Sequence, residues 1–119
     1  MTSHTQVDLI QGTLDMLVLR SLQPGRAHGF AIARFIKTAS SEHLKVEEGS
    51  LYPALHRMER RGWIESEWGL SESNRRAKYY QLTASGKKQL KVEVARWSQM
   101  VEAIDAVLNF AQQQVTPCL

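Results

Sequence analysis

The stretch GSLYPALHRMERRGWIE, residues 49–65, decides the fold. Leu51, Leu55 and Met58 recur at i, i+4 and i+7, the spacing of one buried helical face. Between them stand Tyr52, Pro53, His56, Arg57 and Arg60, an outer face of aromatic, polar and basic side chains. Gly62 ends the helix as a C′ residue, and residues 63–68 then alternate like a strand. Ser50 is the expected N-cap, which puts Pro53 in the first turn, where its missing N–H costs little. A start at Glu47 instead sets Pro53 inside the helix and produces a local kink.

Upstream of this helix, Ile10, Leu14, Leu17, Val18 and Leu22 form an apolar stripe on a helix from about Asp8 to Leu22, ended by Gln23-Pro24-Gly25. Gly25–Gly29 reads as a turn opening a second helix over residues 29–37, with Ile32, Phe35 and Ile36 inward. Residues 40–43 are a loop, and Leu44-Lys45-Val46 is a short extended piece that docks against the sheet. Downstream, residues 63–82 form a hairpin: Ile64, Ser66 and Trp68 alternate on one strand, Tyr80 and Leu82 on the other, with a polar loop from Gly69 to Arg76. Tyr80 rather than Tyr79 faces the core. Thr83 caps a long last helix on which Leu90, Val94, Trp97, Val101, Ile104, Leu108 and Ala111 keep an unbroken heptad spacing, and Pro117 closes the chain.

A chain of 119 residues is one domain by size. The net charge of +3 is small, but its distribution is uneven: residues 57–91 hold nine Lys or Arg against four Asp or Glu, the rest six against eight. Positive charge gathered in one segment is the footprint of a polyanion binder. The single cysteine, Cys118, can form no internal disulfide, and no apolar run has the length of a membrane span. Residues 1–6 lack the basic and apolar regions of a secretion signal. The expected location is the cytoplasm.

Three helices, a strand, a basic loop, a strand and a helix are the order of a winged helix-turn-helix. The expected fold class is therefore mostly α with a small β-hairpin: a winged helix-turn-helix over residues 1–82 and one long C-terminal dimerisation helix over 83–119, in one compact unit. A major groove admits one helix, whose outer side chains reach base edges. The expected DNA contacts are Ser50, Tyr52, Pro53, His56, Arg57 and Arg60 on the helix, and Asn74, Arg75, Arg76 and Lys78 on the wing, the latter reaching phosphates or the minor groove. Tyr52 can also cover the edge of the core, and Arg61 has a packing role. The heptad seam, Leu90, Val94, Trp97, Val101, Ile104 and Leu108, has too little of its own domain to cover and is expected to meet a second copy. Trp97 is large for such a seam and carries an N–H that seeks a partner.

The blocks QGTLDMLVLRSL, HGFAIA, GSLYPALHRMERRGWIE and RRAKYYQLTASGKKQL together resemble the motifs of the PadR family of bacterial transcriptional regulators, in the family's order, over about residues 9–91. The resemblance implies a dimeric winged-helix repressor of the shorter branch, with a single C-terminal helix, bound to double-stranded DNA at an inverted-repeat operator. It also implies relief by a small molecule, with Trp97 a candidate contact to a flat aromatic ligand; the alternative for Trp97 is plain packing. Glu47-Glu48 departs from the family pattern at the helix start, where many relatives carry uncharged residues.

No enzyme chemistry is legible. His4, His28, His43 and His56 have no metal-ligand spacing with one another or with Cys118, and no phosphate loop or nucleophile motif is present. No metal and no cofactor are expected. The other functional class left open is a protein-interaction module that acts through the helical seam and does not depend on DNA; the basic wing argues for the regulator.

Overall fold

The computed structural model describes residues 11–114, with side-chain surroundings for 12–110. The expected positions Asp8, Ile10, Pro117 and Cys118, and the side chain of Ala111, lie outside those ranges. Helices α1 (Gln11–Ser21), α2 (Gly29–Ala39) and α3 (Glu48–Arg60) are followed by the hairpin β2 (Ile64–Leu70) and β3 (Arg76–Leu82) and by the 31-residue α4 (Ala84–Gln114). A two-residue strand β1 (Ala27–His28) precedes α2 and pairs antiparallel with β3, giving sheet order β1-β3-β2.

The core collects one stripe from each element. Leu14, Val18, Leu19 and Leu22 of α1 meet Ile32 and Ile36 of α2 and Leu51, Ala54, Leu55 and Met58 of α3, closed by Ile64 and Tyr80 of the hairpin and Leu90 of α4. Tyr80 is the tyrosine that faces inward, and Leu44 and Val46 pack against the same cluster. Mostly helical architecture, small sheet and long last helix agree with the expected fold class.

Several local expectations need correction. Residues 25–29 are more than a turn, because Ala27 and His28 pair with Tyr80 and Tyr79. His28 also caps α2, its Nδ1 accepting from the Ala31 N–H at 3.1 Å. The cap of α3 is Glu47, not Ser50, and Glu47 makes no side-chain cap bond. Pro53 therefore lies inside the helix and leaves the Gly49 carbonyl without an intrahelical N–H partner. Phe35 is 38% exposed rather than inward, with the Arg20 guanidinium over its ring. Trp68 shares the alternation of Ile64 yet is 58% exposed, since the hairpin runs out beyond the body that covers Ile64. Both strands extend into the expected loop, which shortens to residues 71–75.

Two junctions aim the hairpin and α4. Gly62, at φ +80°, closes α3 with the Trp63 N–H donating to the Met58 carbonyl and its own N–H to that of Glu59. Thr83 caps α4 as expected: its hydroxyl accepts from the Gly86 N–H at 3.0 Å and donates to the Gly62 carbonyl at 2.6 Å, tying α4 to the end of α3. A Cβ on Gly86 would overlap the Trp63 carbonyl oxygen. Gly86→Ala should cost about 3 kcal/mol through this overpacking. That lowers the thermal midpoint by roughly 10 °C or more; an unchanged midpoint contradicts the close packing.

One ion pair lies in the interior. Arg57 of α3 donates from a guanidinium nitrogen to Asp15 Oδ1 of α1 at 2.6 Å, and the Asp15 side chain is 7% exposed. Burial raises the Asp15 carboxyl above its ordinary value of 3.8, outweighing the hydrogen bond and charge of Arg57. A raised value means the native state holds this proton more tightly than the unfolded chain does. The Asp15 contribution is therefore most favourable below 3.8 and is lost as pH rises through the folded value. Urea denaturation across that window should show Asp15→Asn gaining stability relative to the native protein as pH rises. The opposite slope would show a carboxyl held low by its partner.

Candidate nucleic-acid interface

The two faces of α3 follow from helical geometry. At about 100° per residue, Leu51, Ala54, Leu55 and Met58 share one side, all buried. Pro53, His56 and Arg60 fall opposite, exposed, with Tyr52 at one margin and Ser50 at the other. Arg57 falls on the flank beside Ser50, toward α1, which is why it reaches Asp15. Its expected place among the outward groups is corrected accordingly, since the guanidinium is turned into the body and only 20% of the side chain is exposed. Arg61 meets its packing expectation by lying over the Trp63 ring at 5.1 Å.

The wing brings a second set of groups to the same side. Its loop is closed by the Ser71 N–H donating to the Arg75 carbonyl and the Asn74 N–H to that of Ser71. Asn74 takes φ +62°, a left-handed conformation that asparagine tolerates better than most residues. Asn74, Arg75 and Arg76 are exposed. The Arg76 guanidinium lies on the Trp68 ring, 4.7 Å from its centroid, so the exposed indole holds a cation in place. Lys78 is nearer the base, half-buried, 3.8 Å from a Glu59 carboxylate oxygen and over Tyr80. It ties the wing to α3 and points less freely outward than the arginines.

Between α2, α3 and the wing runs an open groove of about 720 Å³. Tyr52, Arg75, Arg76 and Lys78 line it together with Phe30 and Arg34 of α2 and Trp68 of β2. Phe30, Arg34 and Trp68 were absent from the sequence expectation. Phe30 is 64% exposed with the Arg34 guanidinium 5.2 Å from its ring centre. A lone Phe in an amphipathic helix carries no signal that it faces a groove. Tyr52 leans on the start of α2, where a Cβ on Gly29 would meet its hydroxyl at 2.6 Å. Among the described residues no group of three His, Cys, Asp or Glu is placed to hold a metal ion.

A second surface runs along α4. Leu90 is buried in the chain's own core at 5% exposure, which corrects its expected place on a seam between copies. The seam's other members, Val94, Trp97, Val101, Ile104 and Leu108, are exposed. Trp97 borders a small pocket of about 160 Å³ with Met100 of α4 and Gly12, Thr13 and Met16 of α1. No helix among the described residues is long and apolar enough to cross a membrane.

Residues 18–92 match the transcriptional regulator PadR-like family. The chain is 31% identical over 102 residues to an uncharacterized protein of Lysinibacillus sphaericus, covering 86% of this chain and 94% of that one. A transcriptional regulator from Clostridium thermocellum is similar in structure, with TM-score 0.75, 31% identity and coverage of 83% of this chain and 96% of that one. A PadR family transcription regulator from Clostridium difficile gives TM-score 0.70 and 30% identity, covering 80% and 97%.

Gly29→Ala is expected to push the Tyr52 ring off α2 into the groove. The hydroxyl end of a tyrosine can move, so the stability cost should be about 1 kcal/mol. Displaced Tyr52 ring signals in NMR with a nearly unchanged urea midpoint would fit; a large loss of stability would show Tyr52 to be core.

Proposed function

The chain belongs to the PadR-like family of transcriptional regulators, which are not enzymes, and we propose that it is a homodimeric DNA-binding repressor, released from an inverted-repeat operator by a small aromatic ligand. One observation carries the reading. The outward face of α3 and the exposed arginines of the wing border one open groove, while the opposite face of α3 is consumed by the core. A helix so mounted offers Ser50, Tyr52, Pro53, His56 and Arg60 to a major groove, with Asn74, Arg75 and Arg76 beside the flanking phosphates. Such a protein works where the DNA is, in the cytoplasm.

The dimer reading rests on α4. Val94, Trp97, Val101, Ile104 and Leu108 continue at heptad spacing on a helix that runs on past the core residue Leu90. A contiguous apolar stripe of this length marks an interaction surface. Two copies joined there set their recognition helices for half-sites about one helical turn apart. Trp97, beside a small partly apolar pocket against α1, is the place for a flat ligand. Such a ligand acts only through a difference in affinity for two arrangements of the dimer.

Arg75→Ala or Arg76→Ala should weaken binding to operator and random DNA alike and lower the salt slope by about one for each phosphate no longer neutralised. His56→Ala and Arg60→Ala should instead change the preference among operator bases, by about 1–3 kcal/mol where a bidentate hydrogen-bonded pair is removed. Titration of the duplex upstream of the protein's own gene at several salt concentrations makes the comparison, and identical effects of wing and helix variants would sink the division. Val101→Asp with Ile104→Asp should yield monomers in sedimentation. A native monomer at micromolar concentration contradicts the dimer.

A further inference from the structure

The Asp15–Arg57 pair is an expensive way to join two helices. The carboxylate is taken almost wholly out of water, and Arg57 Nε is buried with no hydrogen-bond partner among the described residues. Apolar side chains of similar volume at such a site are often as stable or more so. What a charged, hydrogen-bonded pair adds is direction, because its geometry is specific while apolar contact is not. The pair joins residues 42 apart in sequence, in the middle of α1 and one position beyond His56 on α3. It lies on the one flank of α3 that is neither core nor outer face. Rotation of α3 about its axis swings that flank most directly.

We infer that Asp15 and Arg57 are positioning residues for DNA binding: their buried ion pair fixes the rotation of α3 on α1, and so sets where Tyr52, His56 and Arg60 meet the groove. This rests on the proposed reading of α3 as the recognition helix. It gives Arg57 a part in reading DNA without touching it. The same pair also ties α3 to the unit that carries the seam. Glu93 of α4 acts on Asp15 from the other side, and is itself held by Gln89 at 2.7 Å and Arg96 at 3.7 Å. Asp15 thus faces Arg57 and Arg61 from α3 and Glu93 from α4, so the helix bearing Trp97 and the helix bearing His56 share one anchor.

The test compares the full-length native protein with Asp15→Asn, Arg57→Met and the double variant Asp15→Leu/Arg57→Met. Each is titrated with the duplex upstream of its own gene and with a scrambled duplex of equal length, and its thermal midpoint is measured. The double variant should recover the midpoint that Arg57→Met lowers, since apolar packing replaces the pair. Both it and Asp15→Asn should still lose about tenfold in preference for the upstream duplex, the worth of roughly one base contact. Binding to scrambled DNA should stay within about twofold and the salt slope should not change, because no phosphate contact is removed. Recovery of midpoint and preference together in the double variant overturns the inference and leaves the pair as packing. A salt slope lower by one unit in Arg57→Met, with Asp15→Asn binding as native, overturns it differently and makes Arg57 a phosphate contact. A native protein with no preference between the duplexes removes the recognition-helix reading itself, and the inference with it.

Discussion

Leu51, Ala54, Leu55 and Met58 are all buried on one side of α3, and that packing constrains everything outward of it. Each of these residues holds the helix down against α1, α2 and the hairpin. A 13-residue helix anchored on one stripe has only its opposite stripe to offer, which here carries Pro53, His56 and Arg60. Burying a side chain such as Leu is worth about 1.5–3 kcal/mol, so rolling α3 to another face would sacrifice several such terms at once. The Asp15–Arg57 pair acts within that limit: the apolar stripe holds the helix in place, and the pair selects its angle.

The two junctions carry this placement to the rest of the molecule. Gly62 turns the chain from α3 into β2 in a left-handed conformation, so the wing leaves at an angle set by the helix end. Thr83 then bonds back to the Gly62 carbonyl while capping α4, and Gly86 lets α4 press against the Trp63 backbone. Recognition helix, wing and dimerisation helix therefore meet within a few residues of Gly62. A shift of α4 has little slack to absorb before it reaches the groove.

Most of this architecture was legible because the helices and hairpin obey simple periods. The positions of Leu51, Leu55 and Met58, the stop at Gly62 and the cap at Thr83 are local properties of the chain. What escaped reading was tertiary. Arg57 carries the same signal as Arg60 until a carboxylate 42 residues away turns it inward. Leu90 fits the heptad, yet falls in the part of α4 that its own core still covers. Capping grammar favours Ser50, but the helix starts at Glu47 without a side-chain bond. Two residues of strand, Ala27 and His28, are too few to show an alternation. Phe30, Arg34 and Trp68 line the groove only because three separate elements converge there.

The central claim is that α3 and the wing face DNA together, twice over in a dimer. Chemical footprinting on the upstream duplex addresses it directly, with methylation of guanine N7 reporting the major groove and hydroxyl radicals reporting the backbone. Guanine protection is expected in two major-groove segments about one helical turn apart on one face of the duplex, flanked by backbone protection where the wings lie. A single protected segment, or backbone protection with every guanine N7 still reactive, would contradict it.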